Sequence, residues 1–301
     1  MLKGCFPALV TPITSDKENL DSPVNFEALE NLVEYVISGG VDGVVPLGCT
    51  GHANSFDMEE QEQIVQTVLD IAKGKEVIVG DGSNYTKQAI EDALCFEDFG
   101  IKTHLQISPY QNKPMQEGLF MHYGRIANAI QGELIIYNVP GRTARSIEPD
   151  TVVRLAREYS NIIAVKEASG DIDKIKKIID ETSDLENFSV LSGDDGLTYE
   201  IIKNGGYGVI SVSANIDPKK TSDMVHYALE GQYESAIAID EQLRDLYEAL
   251  FIETNPIPAH YMLTKVGIDA GVPRLPLTPL TEESRIEVDK VMKNLGIAYE
   301  F

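Results

Sequence analysis

The sequence predicts a (β/α)8 barrel with a C-terminal helical extension. Short β-like runs alternate with helical stretches along most of the chain, and eight strand–helix pairs can be traced before about residue 229. The total of 301 residues suits one α/β barrel with an extension. We therefore expect the barrel over residues 1–229 and the helical region over residues 230–301.

The strands are expected where short apolar runs, rich in β-branched residues, are bounded by polar residues or glycine. Such runs are typical of parallel strands that are buried on both faces. In chain order they are Phe6–Val10, Val41–Leu47, Val77–Val79, Thr103–Ile107, Leu134–Tyr137, Ile162–Lys166, Ser189–Leu191 and Gly208–Val212.

Helices are expected between these strands, where apolar residues recur at helical spacing and the ends carry helix signals. The first stops at Gly39, and the second begins with the acidic stretch at Asp57 and stops at Gly74. The expected helices cover about residues 26–37, 57–72, 87–96, 116–130, 149–157, 172–181, 198–203 and 219–229, and then 232–251, 259–266 and 281–294 in the extension.

An open doubly wound sheet is the alternative fold. It predicts a glycine-rich dinucleotide-binding loop directly after the first strand. The segment Val10-Thr11-Pro12 contains no glycine, which favours the barrel.

The composition disfavours several classes of function. The 25 basic and 48 acidic side chains give a formal net charge of −23, which argues against binding to nucleic acid or anionic membranes. We find no signal peptide and no apolar run near the roughly 18 residues of a membrane span, and three cysteines suit a reducing cytoplasm. None of the five histidines pairs with another at a metal-ligand spacing, so no metal site is expected.

Lys166 is the principal candidate for catalysis. It follows the apolar run Ile162–Val165, and a lysine at the end of a buried strand loses water, which lowers its pKa. An amine that is partly neutral near pH 7 can attack a carbonyl group and form a Schiff base. On this segment alone, a lysine whose head group reaches solvent remains an open alternative.

The other strand ends supply partners for this lysine, because the reactive residues of such barrels lie at the C-terminal ends of the strands. If the substrate is a small 2-oxo acid, Tyr137 would pass protons. Thr50 and the backbone of the Gly48 loop would hold its carboxylate. Arg142 would hold a second carboxylate through its planar guanidinium group.

Each assignment has a structural alternative. Tyr137 could be an ordinary strand-end aromatic residue, Arg142 a solvated turn residue, and the glycine loop only a tight turn. Asp194 and Asp195 are expected to start and cap a helix in preference to binding metal, and His52 is expected to be a loop residue, with ligation as the lesser alternative.

A series of motifs at these strand ends is shared with a known family. They are Gly48-Cys49-Thr50-Gly51, Tyr137-Asn138-Val139-Pro140-Gly141-Arg142-Thr143, Val165-Lys166-Glu167-Ala168, Leu191-Ser192-Gly193-Asp194-Asp195, Gly208-Val209-Ile210-Ser211-Val212 and Asn255-Pro256-Ile257-Pro258. Together they span nearly the whole chain and resemble the dihydrodipicolinate synthase / N-acetylneuraminate lyase superfamily, and the second and last are most similar to its dihydrodipicolinate synthase branch.

The resemblance implies a (β/α)8 barrel with C-terminal helices, usually a tetramer, that forms a pyruvate Schiff base and needs no metal or organic cofactor. In that branch pyruvate condenses with aspartate semialdehyde on the route to diaminopimelate and lysine. The expected partners are therefore pyruvate, a small aldehyde or oxo acid, and further copies of this chain in a tetramer or dimer.

The resemblance also implies roles for individual residues. Lys166 matches the Schiff-base lysine, Tyr137 the proton-relay tyrosine, and Arg142 the arginine that holds the carboxylate of the aldehyde substrate. The residues expected to contact substrate through the matching motifs are Gly48, Thr50, Gly193, Ile210 and Asn255.

Two positions depart from the proton relay of the family. The family loop usually reads Gly-Thr-Thr-Gly-Glu, and Cys49 takes the relay position of the first threonine although a thiol donates only weakly. Gln111 stands where a tyrosine usually completes the relay from a neighbouring subunit, and an amide cannot shuttle a proton at neutral pH.

These observations leave three functions in order of preference. The first is the condensation of pyruvate with aspartate semialdehyde, which Arg142 supports. The second is a related pyruvate-dependent aldolase or dehydratase for a 2-keto-3-deoxy sugar acid or a hydroxy-oxo acid, which keeps Lys166 and Tyr137 and tolerates a changed relay. The third, of a different class, is a non-catalytic barrel that binds a small oxo acid.

Overall fold

The computed structural model describes residues 1–14 and 22–297, and it confirms the predicted barrel. The parallel strands lie in the order β1-β8-β7-β6-β5-β4-β3-β2, so that neighbours in the sheet are also neighbours along the chain, except that the first strand pairs with the last. They are β1 Gly4–Pro7, β2 Gly43–Val44, β3 Glu76–Gly80, β4 Thr103–Ile107, β5 Glu133–Asn138, β6 Ile162–Glu167, β7 Ser189–Ser192 and β8 Gly208–Ser211.

The sheet closes on itself between β1 and β2. The N–H of Asp42 donates to the carbonyl of Cys5 over 2.9 Å, and the N–H of Val45 donates to the carbonyl of Pro7 over 2.8 Å. The N–H of Leu9 donates back to the carbonyl of Val45 over 2.9 Å. These bonds join the two end strands of the sheet into a nearly closed barrel.

β2 is much shorter than the predicted run Val41–Leu47, because the backbone leaves the extended conformation at its end. Pro46 has no N–H to donate to a neighbouring strand. Leu47 has a φ of 58°, in the left-handed region that a strand cannot use. The chain therefore turns out of the sheet directly into the glycine loop at residues 48–51.

The helices lie close to their predicted positions, with one addition. The short helix α5, with proline at its first turn, occupies a segment that was expected to be a loop. The helices are α1 Phe26–Ser38, α2 Met58–Ala72, α3 Thr86–Asp98, α4 Gln116–Ala129, α5 Pro140–Thr143, α6 Pro149–Glu158, α7 Ile172–Thr182, α8 Thr198–Lys203, α9 Pro218–Leu229, α10 Tyr233–Ala249, α11 Ile257–Lys265 and α12 Glu282–Leu295.

Apolar side chains fill the inside of the barrel. A packed interior leaves room for a ligand only at the ends of the strands, as in other barrels of this architecture. The interior cluster includes Phe6, Ala8, Val45, Ile78, Leu105, Ile135, Tyr137, Ala164, Leu191 and Ile210.

The C-terminal helices pack onto the barrel in one continuous hydrophobic core. Leu243 of α10, Leu263 of α11 and Met292 of α12 belong to the same buried cluster as Leu29 of α1 and Val68 of α2. The division of the chain at residue 229 therefore remains a prediction about domains, although helices do occupy the predicted C-terminal region.

A buried arginine fastens the segment after α11 to the barrel. The Nε of Arg274 donates to the carbonyl of Ser22 over 3.0 Å, and its Nη1 donates to the carbonyl of Ser55 over 2.7 Å. Its Nη2 donates to the Oε1 of Glu60 in the first turn of α2 over 2.5 Å. The C-terminal segment is thereby held against the loop that follows the glycine loop.

No helix of the described residues has both the length and the apolar character needed to cross a membrane.

Candidate active site

A cavity of about 330 Å³ opens at the C-terminal ends of strands β2 to β5, where the C-terminal segment covers the barrel. The glycine loop after β2, the end of β5 and the segment before α11 form its walls. The lining residues are Leu47, Gly48, Cys49, His52, Ala53, Asn54, Ser55, Gly80, Gly82, Leu105, Ile107, Tyr110, Tyr137, Arg142, Thr254, Asn255, Pro256 and Leu277.

Lys166, near the end of β6, is only 5% exposed; it does not itself line the cavity but lies against Tyr137, which does. Burial lowers the pKa of its amine to about 8, and the charge of Arg142 acts in the same direction, while Cys49 and Asp195 oppose the change. At pH 7 roughly a tenth of such amines are neutral, compared with fewer than one in a thousand for an ordinary lysine. The environment therefore favours nucleophilic attack by this amine.

Tyr137 is placed beside the lysine by the register of the barrel. The two residues are direct neighbours across β5 and β6, and the Nζ of Lys166 lies 4.3 Å from the centre of the tyrosine ring. Burial raises the pKa of the Tyr137 phenol well above its ordinary value, and nearby Cys49 acts in the same direction. The hydroxyl group therefore remains protonated near neutral pH and is able to donate a proton.

Cys49 lines the same cavity as Tyr137 and is partly exposed there. It is close enough to the phenol to help raise its pKa. The relay position that the sequence assigned to Cys49 is thus adjacent to the tyrosine.

Thr50, Asn255 and Arg142 form a chain of contacts across the cavity mouth. The Nδ2 of Asn255 donates to the Oγ1 of Thr50 over 3.1 Å, and the Nη2 of Arg142 donates to the carbonyl of Asn255 over 3.0 Å. These bonds connect the glycine loop, the end of β5 and the segment before α11. A guanidinium group carries five N–H donors, so this bond leaves Arg142 able to bind a carboxylate as well.

The remaining predicted residues differ in how they reach the cavity. Gly48 and Asn255 lie in its lining, whereas Thr50 and Ile210 are buried and do not line it; Thr50 reaches it through its bond to Asn255. Gln111 is exposed, with a φ of 67°, and lies outside the lining of its own barrel. Within one chain, Gln111 is therefore not a neighbour of Tyr137.

Gly193 leaves room for the side chain of Lys166, because it has no β-carbon. A β-carbon at position 193 would lie 3.0 Å from the Cε of Lys166 and 2.8 Å from the β-carbon of Ala168. Its N–H donates to the carbonyl of Glu167 over 2.8 Å, which holds the loop after β7 against β6. This glycine contacts the lysine rather than the cavity.

Asp195 and His52 have more specific surroundings than the sequence predicts. As expected, Asp194 caps a helical turn, with its Oδ1 accepting from the N–H of Gly196 over 3.0 Å, and Asp195 is the first residue of that turn. The carboxylate of Asp195 accepts from the hydroxyl of Ser211 over 2.5 Å and from the N–H of Ser213 over 2.9 Å, so it holds the end of β8.

His52 lies in a loop, as expected, but its surroundings are more specific than the sequence indicates. Its ring is buried, with 7% exposure, and lies in the cavity lining against His260 of α11, with 5.3 Å between ring centres. Only the tertiary packing of the C-terminal segment brings these two histidines together, since they are far apart in the sequence.

The described residues contain no cluster of three or more histidine, cysteine, aspartate or glutamate side chains that could hold a metal ion.

The fold and the site together define a (β/α)8 barrel with a desolvated lysine and a phenol at adjoining strand ends, the arrangement of a class I aldolase-type barrel. The chain belongs to the dihydrodipicolinate synthetase family, whose model matches residues 1–295. This confirms the family that the motifs indicated.

Relatives match along their whole length. The 4-hydroxy-tetrahydrodipicolinate synthase of Methanocaldococcus jannaschii is 45% identical over 298 residues, which is 99% of this chain and 100% of the relative. That of Methanopyrus kandleri is 42% identical over 300 residues, 99% of this chain and 98% of the relative. A crystal structure of dihydrodipicolinate synthase from Thermotoga maritima, 35% identical, superposes with a TM-score of 0.95 over 99% of both chains.

The contact between Gly193 and Lys166 leads to a prediction. In the variant Gly193→Ala, the new β-carbon forces the lysine stem to move, and a displacement of about 1 Å costs on the order of 100-fold in rate. We expect trapping of pyruvate on Lys166 by borohydride, followed by mass spectrometry, to slow by at least tenfold in a folded protein.

The matched control is Gly141→Ala, since an added β-carbon at position 141 meets no atom within 4 Å. Thermal unfolding of both variants establishes that they are folded. Equal trapping rates for the two variants would show that Gly193 does not position the lysine.

Proposed function

We propose that this chain is a Schiff-base lyase that condenses pyruvate with aspartate semialdehyde to form 4-hydroxy-tetrahydrodipicolinate, on the route to diaminopimelate and lysine. The observation that carries the proposal is the buried amine of Lys166, with its pKa lowered to about 8, next to Tyr137. Membership of the family and the names of its relatives support the choice of substrates.

The reaction begins with attack of the neutral Lys166 amine on the ketone carbon of pyruvate. Loss of water from the resulting carbinolamine leaves an imine. Because a protonated imine withdraws electrons, the methyl carbon of pyruvate can lose a proton and become a nucleophilic enamine carbon. The protein's own amine thus supplies the electron sink, and the proposed reaction needs no metal or organic cofactor.

Tyr137 is proposed to carry the protons of these steps. Its hydroxyl group remains protonated because it is buried, and it lies beside both the amine and the Cys49 side chain. Cys49 would accept or donate the proton that passes between the tyrosine and the rest of the cavity, less readily than a hydroxyl group would.

Thr50 and the Gly48 loop are proposed to hold the pyruvate carboxylate, with Ile210 and Gly193 packed around the bound lysine. Arg142 would hold the carboxylate of aspartate semialdehyde, because a guanidinium group at the cavity wall matches a carboxylate in both charge and shape. The enamine carbon then attacks the aldehyde carbon, forming the new carbon–carbon bond and restoring the imine to Lys166, and the aldehyde oxygen takes up a proton. The amino group of the former aspartate semialdehyde, once neutral, adds to the imine carbon and closes the ring, and the bond from that carbon to Lys166 breaks, which frees the lysine amine.

We further propose that the chain acts in the cytoplasm as a homo-oligomer, either a tetramer or a dimer. Gln111 is exposed at the tip of the loop after β4, on the outside of its own barrel, which suits a contact with another copy. The contacts of Asn255, by contrast, are with residues of its own chain: it hydrogen-bonds to both Arg142 and Thr50.

A trapping experiment tests the proposal. With pyruvate and borohydride, we expect a stable adduct on Lys166 in the wild type and none in Lys166→Arg, which keeps a cation of similar length but cannot form the imine. Aspartate semialdehyde added with pyruvate should then be consumed together with it. An adduct on another residue, or no adduct, would overturn the proposal.

The same assay separates the related functions. Formation of the Lys166 adduct without consumption of aspartate semialdehyde, but with cleavage of a 2-keto-3-deoxy sugar acid, would assign the chain to the second class of pyruvate-dependent aldolases. Binding of pyruvate without any adduct would indicate a non-catalytic barrel.

The lowered pKa of Lys166 predicts the pH dependence of the first step. Attack requires the neutral amine, whose fraction rises with pH and reaches half at about pH 8. The initial rate of adduct formation at low pyruvate should therefore rise about tenfold per pH unit below pH 7 and level off above about pH 8.

The comparison for this profile is Arg142→Gln. Because the cation of Arg142 helps to lower the pKa of Lys166, its removal should move the midpoint to higher pH. A wild-type rate that keeps rising to pH 10 would mean that the amine is not desolvated in solution.

The altered relay gives a further prediction. If Cys49 and Gln111 limit proton transfer, the double variant Cys49→Thr with Gln111→Tyr should raise the kcat of condensation, on the order of tenfold, because general acid–base groups contribute 100-fold or more. Steady-state assays with both substrates measure it, and each single variant serves as the control. An unchanged or lower kcat would show that the relay in this chain does not use these two positions.

A further inference from the structure

His52 occupies an unusual position at the wall of the cavity. Its backbone has a φ of 38°, in the left-handed region, at the start of the short turn Ala53–Ser55. This conformation directs the ring between Phe56, at 5.1 Å between ring centres, and His260, at 5.3 Å. The ring is only 7% exposed, and the exposure that remains belongs to a residue of the cavity lining.

Both ring nitrogens of His52 are buried without a hydrogen-bond partner among the described residues. The carbonyl of Thr11 is close enough to act electrostatically on the ring, but it makes no hydrogen bond of acceptable geometry. A buried polar atom without a partner costs about 1–3 kcal/mol. A ligand in the cavity is the natural source of the partner that the fold does not provide.

The imidazole of His52 is neutral throughout the pH range of a cell. Burial lowers its pKa to about 3, and the neighbouring His260 and Arg274 act in the same direction. A neutral imidazole has one N–H donor and one nitrogen lone pair that accepts. As a residue of the cavity lining, His52 therefore supplies a neutral acceptor without adding a charge.

The charge of the cavity lining makes such an acceptor important. The chain carries a formal net charge of −23, yet the lining contains neither aspartate nor glutamate within the part of the chain that the structure describes. An α-amino acid that carries an aldehyde, such as aspartate semialdehyde, brings a carboxylate and an ammonium group. Arg142 is suited to the carboxylate, but the ammonium group must find neutral acceptors.

Two lining side chains offer unpartnered, buried acceptor atoms within the described residues: a ring nitrogen of His52 and the Oδ1 of Asn255. Asn255 is already held by Thr50 and Arg142. His52 is positioned only by ring contacts and backbone geometry. Its ring nitrogens therefore gain the most from a hydrogen bond to a ligand.

We propose that the imidazole of His52 accepts a hydrogen bond from the α-ammonium group of the second substrate, and thereby selects an amino-acid aldehyde over an aldehyde without the amino group. This inference rests on the proposed function and assigns to it a specificity-determining residue outside the lysine–tyrosine pair. A hydrogen bond to a charged group corresponds to about 10- to 100-fold in affinity.

The test compares two unreactive ligands that differ only in the amino group. Homoserine and 4-hydroxybutyrate have the same carbon chain and carboxylate, with an alcohol in place of the aldehyde. Their inhibition constants are measured against aspartate semialdehyde with saturating pyruvate, in the wild type, in His52→Phe and in His52→Asn. Phenylalanine keeps a ring between Phe56 and His260 but has no acceptor, whereas asparagine keeps an acceptor and tolerates the left-handed backbone.

We expect the wild type to bind homoserine about 10- to 100-fold more tightly than 4-hydroxybutyrate. The ratio should fall to within about threefold in His52→Phe and be largely restored in His52→Asn. Because each ratio is internal to one variant, a general loss of stability or activity cancels.

A measurement on the unaltered protein complements the variants. Homoserine, but not 4-hydroxybutyrate, should change the 15N chemical shift of the accepting ring nitrogen of His52. If His52→Phe prefers homoserine as strongly as the wild type does, or if this chemical shift does not change, the proposed role of His52 is wrong. The proposed function would not be affected by either result. A wild type that forms the Lys166 adduct but does not consume aspartate semialdehyde would instead overturn the proposed substrate, and this inference with it.

Discussion

The burial of one ammonium group, that of Lys166, is the constraint on which the rest of the site depends. Every residue of β6 is buried, so the strand carries the lysine into the barrel without access to bulk water. The ring of Tyr137 covers one side of the amine, and the loop after β7 comes close on another because position 193 has no side chain. Closure of the barrel between β1 and β2 completes the enclosure.

Within the described part of the chain, the buried lysine also lacks an ion-pair partner, because the acidic groups near it are hydrogen-bonded to other residues. Glu167, its neighbour in sequence, accepts from the Nδ2 of Asn138 over 2.8 Å and from the N–H of Ser169 over 2.8 Å. Asp195 is occupied by donors from the end of β8. Among the described residues, no carboxylate oxygen lies within 4.0 Å of the lysine nitrogen to restore its charge as an ion pair. The protein as a whole is acidic, yet within the described residues the cavity lining carries the positive charge of Arg142 and no carboxylate.

Regular elements could be predicted from the sequence where local patterns decide the structure. β4 and α8 have the predicted bounds, and α2 begins at the acidic stretch, where the Oδ1 of Asp57 accepts from the N–H of Glu60 over 2.9 Å. The prediction failed where a single residue changes the backbone. Pro46 ends β2 early, and α5 forms in a segment too short to show helical periodicity.

The alternation of strands and helices, the family and the lysine at the end of a buried strand could all be predicted from the sequence. Each of them depends on apolar periodicity or motif order, which are properties of residues close together in the chain. The surroundings of that lysine became visible only in the folded protein. Thr50 and Asn255 meet across 205 residues of chain, and His52 becomes buried only when α11 packs beside it. Desolvation depends on such distant contacts, and no local pattern of residues reports them.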